Sequence, residues 1–288
     1  MSPIEKGAYH SPLAIAPLNE LPGVVNVALE RCIEGPVAVI GDVHGHVDDV
    51  ARIVEQLQQL PDFERRWIVF IGDLVDRGPD PKGAIDFVLE LMLHHPRTTA
   101  VSGNHELAMA AALGLVETPE YTDWAQRWLD HYGSQATFQS YGCESGDLQG
   151  LREALPLAHQ EYLAELPWCV EHPEFFFVHA GLDPHAPFRM QREILRARDF
   201  TLNRPQWLCS KSLPFQEPPP DCSQMVISGH VRVPDVQMTA RRVLVDTTGG
   251  DGGVMSCALL PEMRVIRSDG KSRRMVPTSQ DKKRSWFW

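Results

Sequence analysis

The chain has 288 residues, 43% hydrophobic and 23% charged, enough to bury one large core or two small ones. Its formal charge of −11 excludes a general nucleic-acid scaffold, whose footprint is basic, but not a phosphorylated substrate neutralised by metals. Six scattered cysteines (Cys32, Cys143, Cys169, Cys209, Cys222 and Cys257) form no C-x-x-C pair, so neither a zinc ribbon nor a disulfide framework is expected.

Residues 1–35 read as an extension in which Pro12, Pro17 and Pro22 break any long element. Met1 to Leu18 lack the basic start and apolar core of a signal peptide, and no apolar run is long enough to span a bilayer. With reduced thiols, this predicts a cytoplasmic protein with no membrane partner. The run Pro36-Val37-Ala38-Val39-Ile40 then reads as a buried strand closed by Gly41-Asp42-Val43-His44-Gly45. Val47, Val50, Val54, Leu57 and Leu60 follow at helical spacing. A second run, Trp67 to Ile71, ends in Gly72-Asp73, and Asp80-Pro81 reads as an N-cap with proline at the first helical position. Thr98 to Val101 gives a third strand, ending in Ser102-Gly103-Asn104-His105-Glu106 before another helix. Three strand–loop–helix units in succession predict an α/β fold with a partly parallel sheet. Residues 118–166 turn helical, with Trp124, Trp128, Leu129 and Tyr132 on one stripe and Gly133 as its stop. Strands resume after Pro167 and end in His179-Ala180-Gly181. Residues 183–221 read as a long irregular loop carrying Arg189, Arg192, Arg196 and Arg198. Met225 to Ser228 leads to Gly229-His230, and segments 243–246, 254–260 and 263–266 read as closing antiparallel strands. Residues 268–288 form a basic, polar tail that reads as disordered, with docking to a partner as the minor alternative.

Five strand ends thus present Asp42 with His44, Asp73, Asn104, His179 and His230. Carboxylates, an amide oxygen and imidazoles suit two adjacent metals sharing a carboxylate. Any one of these residues alone is more often a turn, a cap or a packing residue, but each follows an apolar run, most beside glycine. Other histidines, such as His94, His95 and His159, lack that setting and read as surface or packing residues.

Gly41-Asp-Val-His-Gly45, Gly72-Asp-Leu-Val-Asp-Arg-Gly78, Gly103-Asn-His-Glu106, His179-Ala-Gly181 and Gly229-His230 together resemble the ordered signature of the phosphoprotein phosphatase family of calcineurin-like metallophosphoesterases. The likeness runs from about Pro36 to Leu260. Gly133 to Gly142 and Asp246 to Gly253 are further similar to the bacterial branch, which includes protein phosphatases and symmetrical diadenosine tetraphosphate hydrolases. The resemblance implies central mixed β-sheets flanked by helices, a four-layer α/β/β/α sandwich. Its catalytic domain would cover 36–267, with 118–166 as a helical insertion. It implies that Asp42, His44 and Asp73 hold a first divalent metal, and that Asp73, Asn104, His179 and His230 hold a second. Mn²⁺ is the expected metal, and the ligand set also admits Fe, Zn or Mg. A hydroxide bridging the metals would attack phosphorus in line. Arg77 would grip phosphate oxygens, and His105, oriented by Asp76, would protonate the leaving group.

The sequence departs from the family pattern in two places. Trp207 is followed by Leu208-Cys209 where an additional substrate-contacting arginine is expected, leaving Arg198, Arg204 or Lys211 as replacements. Asp251 stands where an aromatic residue is often found. Three readings follow. A serine/threonine protein phosphatase ranks first, and a hydrolase of dinucleoside tetraphosphates or another small molecule stands close behind. A silent phosphate- or partner-binding protein comes last, because the six ligands and the His105–Asp76–Arg77 set are all present. Oligomeric state is not encoded in these motifs.

Overall fold

The apolar run after Pro36 forms strand β1 (Val37–Ile40), with all four side chains buried. In the computed structural model, which describes residues 28–278, Val37 and Val39 enter a core between two sheets. Ala38 and Ile40 face a second core beneath the helices. Burial on both faces is why the strand reads as a continuous run and not as an alternation. Helix α1 (Val47–Gln58) lays Val50, Val54 and Leu57 on that second core. Strand β2 (Trp67–Phe70), helix α2 (Pro81–His94), strand β3 (Thr98–Ala100) and helix α3 (Asn104–Ala112) repeat the unit. β1, β2 and β3 are parallel, and the Asp80 carboxylate caps α2 by accepting the Gly83 N–H at 2.9 Å.

The predicted insertion comprises helices α4 (Trp124–His131), α5 (Gln135–Ser140), α6 (Leu148–Ala154) and α7 (Leu157–Glu165). Strands β4 (Val170–Glu171) and β5 (Phe175–Phe177) follow, then helices α8 (Phe188–Ala197) and α9 (Gln206–Cys209). The chain continues through β6 (Met225–Ser228), β7 (Gln237–Met238), β8 (Arg242–Leu244), β9 (Ser256–Leu260), β10 (Arg264–Arg267) and β11 (Ser272–Arg274). One mixed sheet has the order β11-β10-β9-β1-β2-β3, the other β4-β5-β6-β8-β7. Their inner faces meet through Val69, Ile71, Phe175, Phe177, Ile227 and Val243, with helices outside, giving the four-layer α/β/β/α sandwich. No helix among the described residues is long and apolar enough to cross a membrane.

Four details differ from the sequence-based expectation. Residues 183–221 are not wholly irregular, because α8 buries Gln191 and Leu195 and turns its arginines outward. Charged residues dominate that helix, so its thin apolar stripe was hidden. Segment 243–246 does not close beside 254–260 and 263–266: β8 runs parallel to β6 in the second sheet, while β9 and β10 pair antiparallel in the first. The apolar residues of all these strands are buried, so their patterns carry no record of which sheet they join. The tail from residue 268 begins inside the domain: β11 pairs with β10, and Met275 is buried. At the other end, Ile33 is buried and its N–H donates to the Glu171 carbonyl at 2.8 Å, so the last residues of the 1–35 extension join the β4 edge. Pro12, Pro17 and Pro22 and the terminal Trp286-Phe287-Trp288 lie outside the described residues.

Candidate metal centre and active site

The carboxyl ends of β1, β2, β3, β5 and β6 point to one place, although they come from two sheets. They deliver Asp42 and His44, Asp73, Asn104, His179 and His230 respectively, and all but His230 are buried. Asp73 is central. Its Oδ2 lies 3.2 Å from His179 Nε2, 3.7 Å from His44 Nε2 and 3.9 Å from His105 Nε2. His179 Nε2 is also 3.2 Å from Asn104 Oδ1 and 3.1 Å from His230 Nδ1. Asp42 stands behind this group, and its carboxylate accepts the His230 backbone N–H at 3.0 Å.

These donors fit metals on the chemistry of the imidazoles. His44 Nδ1–H donates to the Val75 carbonyl and His179 Nδ1–H to the Ile71 carbonyl, both at 2.8 Å. Each ring therefore turns an Nε2 lone pair toward carboxylate and amide oxygens, and acceptors so close need a cation among them. Two close groups result, Asp73–His179–His230 and His44–Asp73–His105. The first brings together three of the four residues expected around the second metal, with Asn104 Oδ1 3.2 Å from His179 Nε2. The second contains His105 beside His44 and Asp73, and Asp42 is in neither group, so His105 is geometrically both a ligand candidate and an acid candidate.

Protons fill the role of the cation when no metal does. Burial would lower the His179 pKa, but the Asp73 and Asp42 carboxylates outweigh it and raise it to about 10. Burial also disfavours ionised Asp73, yet the imidazoles of His179, His105 and His44 hold it well below the usual carboxylate range. Burial, with the charge of His179, pushes His230 down to about 3. Burial and the neighbouring Asp246 raise Asp42 well above its ordinary value. Because the His179 pKa is raised, its contribution to stability is complete below the unfolded value near 6.5 and is lost as pH rises through about 10. Metal must displace that proton. Mn²⁺ affinity measured by calorimetry should therefore tighten steadily from pH 6.5 to 9, with proton release visible as buffer-dependent heat. A pH-independent affinity would show that His179 is not displaced from its proton.

Backbone strain marks the same place. His44, Asp73, Asp76, Arg77 and His230 all have positive φ, from 43° to 70°, a region that side chains other than glycine's rarely adopt. The motif glycines make room for this: a Cβ on Gly103 would collide with Asp73 Oδ1, and one on Gly229 with Asp42 Oδ1. Glu106 holds the loop from beneath, its carboxylate accepting N–H groups of Asp73 at 2.8 Å, Leu74 at 2.7 Å and Gly103 at 2.9 Å. His105 Nδ1–H donates to Asp76 Oδ2 at 2.8 Å, while Nε2, on a residue that lines the cavity, makes no hydrogen bond within the protein. Arg77 donates to the Gly249 carbonyl at 2.8 Å and lies 3.5 Å from His44 Nε2.

A cavity of about 690 Å³ opens above these groups, with Asp73, Asn104, His105 and His230 in its floor. Arg77, Arg127, Arg204, Lys211 and Arg232 line its walls, with Asp123, Asp130 and Asp251 at the rim. Of the three basic residues weighed above, Arg204 and Lys211 stand in this cavity. Arg198 does not: it donates to the Ala164 carbonyl at 2.5 Å and lies over Phe200. Asp251 pairs with Arg232 at 3.3 Å. A second cavity of about 440 Å³, lined by His46, Gly78, Pro79 and Gln139, shares Arg77 and Asp251 with the first. The residues that motif reading left without a role are Glu106, Trp128, Tyr132, Thr137 and Asp246. Glu106 and Asp246 lie in or beside the motifs, whereas the other three carry no signal of contact with the site.

Residues 35–234 match the family described as calcineurin-like phosphoesterase. A symmetrical bis(5'-nucleosyl)-tetraphosphatase of Vibrio cholerae is 27% identical over 170 residues, 59% of this chain and 53% of that protein. The chain thus spans about half the length of the curated relatives it matches. A protein phosphatase 2A catalytic subunit of Dictyostelium discoideum is 43% identical over 75 residues, 26% of this chain and 23% of that one. A protein serine/threonine phosphatase structure from Saccharomyces cerevisiae superposes with a TM-score of 0.53 at 16% identity, covering 87% of this chain and 85% of that one.

Proposed function

Because the chain belongs to the calcineurin-like phosphoesterase family, we propose that it is a metal-dependent hydrolase of substrates carrying several linked phosphates, of which a dinucleoside tetraphosphate is the type. The observation that carries this reading is the set of five cationic side chains around one cavity floored by metal-ligand candidates. A single phosphate between two metals and Arg77 leaves little for Arg204 and Lys211 to bind, whereas a phosphate chain occupies them. Neither Arg204 nor Lys211 pairs with a carboxylate among the described residues, so both are available to a ligand. The tetraphosphatase relatives support the same choice.

Asp42, His44, Asp73, Asn104, His179 and His230 would hold two divalent ions, which when bound neutralise phosphate charge and acidify the attacking water. Arg77 would take two phosphate oxygens in its planar fork as charge builds on them. His105, held by Asp76, would give the proton from Nε2 to the departing oxygen. Water attack at an inner phosphorus with cleavage of the central P–O–P link, the departing diphosphate taking the bridging oxygen, yields two nucleoside diphosphates. A phosphoserine or phosphothreonine protein is the second reading, favoured by the open cavity beyond Arg77, where residues flanking a phosphorylated side chain would lie.

The test is product analysis with manganese-loaded protein on diadenosine tetraphosphate beside a phosphopeptide panel. Clean conversion to ADP is expected. Losing charged hydrogen bonds worth about 1.5–3 kcal/mol each, the Arg204→Ala/Lys211→Ala double variant should lose about 10²- to 10⁴-fold in kcat/KM on the dinucleotide. It should lose far less on a monoester. Strong peptide turnover with an inert dinucleotide would move the function to the phosphoprotein reading.

A further inference from the structure

The helical insertion grips a carboxylate of the reaction centre. Asp76 is fully buried, and three side chains donate to it: His105 Nδ1–H at 2.8 Å and the Trp128 indole N–H at 2.9 Å on Oδ2, and the Thr137 hydroxyl at 2.5 Å on Oδ1. Thr137 Oγ1 accepts the Asp76 backbone N–H in return, at 3.1 Å. The next residue is tied down as well, since the Arg77 N–H donates to the Gly133 carbonyl at 3.1 Å. Asp76 and Arg77 both sit at positive φ, 68° and 63°, which calls for support from outside the loop. Tyr132 lies edge-on to the His105 ring at 4.8 Å, and His44 at 4.6 Å. Trp128, Tyr132, Gly133 and Thr137 all belong to the insertion.

We infer that the insertion is the positioning element for His105: Trp128 and Thr137 lock the Asp76 carboxylate, and Asp76 in turn aims His105 Nε2 into the cavity. This rests on the reading of His105 as the proton donor. The physical reason is that no hydrogen bond holds the ring from its other nitrogen, since Nε2 faces Asp73 Oδ2 only at 3.9 Å. The hydrogen-bonded aim of the acid is therefore set through Nδ1 and Asp76, beside the ring contacts with Tyr132 and His44. With Trp128 and Thr137 in place, each carboxylate oxygen carries a fixed donor and Asp76 has one orientation. Without them, the carboxylate and the ring can rotate together. Trp128 and Thr137 are positioning residues, since neither lines the cavity.

The experiment compares Trp128→Phe and Thr137→Val with Thr137→Ser, which keeps the hydroxyl. Turnover is measured on an alkyl phosphomonoester, whose poor leaving group needs the acid, and on p-nitrophenyl phosphate, which needs it little. A misplacement of about 1 Å can cost on the order of 100-fold, so the alkyl-to-aryl ratio should fall at least tenfold in the first two variants, with KM unchanged, and recover in Thr137→Ser. In the metal-free protein, proton NMR should show a protected imidazole N–H of His105 in wild type and Thr137→Ser. That signal should be lost to exchange in the other two. Adding Trp128→Phe to His105→Asn should cost nothing further on the alkyl ester. If alkyl and aryl turnover fall together while the imidazole signal persists, Trp128 and Thr137 support only the fold and the inference is overturned. If His105→Asn itself leaves the ratio unchanged, the acid reading fails instead.

Discussion

Replacing Asp73 by Asn is expected to lower phosphoester turnover by more than about 100-fold, the upper end of what loss of an outer-shell metal partner costs. The expectation follows from position. Asp73 belongs to both close donor groups, and its Oδ2 is within 4 Å of three imidazole nitrogens. The substitution removes one negative charge from both metal positions at once, so the two metals should be lost together. Metal content by mass spectrometry, measured beside turnover, checks this. Stepwise loss of a single metal would show that the two positions do not share Asp73. The substitution should also release the proton on His179, because the raised pKa of that ring depends chiefly on Asp73 once burial is overcome. Imidazole titration of the metal-free variant should then move from about 10 toward or below the unperturbed value near 6.5.

His105→Asn separates the two roles that geometry allows for this residue. As the acid, it should lower turnover of poor leaving groups by about 10²–10⁴-fold while both metals stay bound. As a ligand beside His44 and Asp73, it should cost metal and activity in equal measure. The first outcome is expected, because Nδ1 is committed to a buried carboxylate that orients the ring. Metal content and the dependence of rate on leaving group, taken from one preparation, decide it.

The pH dependence of metal binding connects these two variants. Both act on a cluster whose carboxylates and imidazoles hold protons wherever they do not hold metal. Asp73→Asn should flatten the rise of Mn²⁺ affinity with pH, whereas His105→Asn should leave most of it in place.

The chain by itself determined where the candidate site lies. Apolar runs ending in glycine and a ligand-type residue single out Asp42, His44, Asp73, Asn104, His179 and His230, because a buried strand must stop before a polar side chain can face a ligand. Their order also carried the family, and with it the α/β/β/α architecture. What the tertiary structure decided is how separate segments meet. Val243 and Val265 are equally apolar and equally buried, so no local pattern separates the sheet of β8 from that of β10. Arg198, Arg204 and Lys211 are equally basic, and only packing sends Arg198 to the Ala164 carbonyl and the other two into the cavity. Trp128 reads as part of a helical stripe and Thr137 as one residue of the Gly133–Gly142 likeness, with no partner indicated for either, yet they lie 52 and 61 residues from Asp76 in sequence and donate directly to it. Contacts between distant segments depend on the summed packing of all the elements between them, and no window of sequence contains that sum.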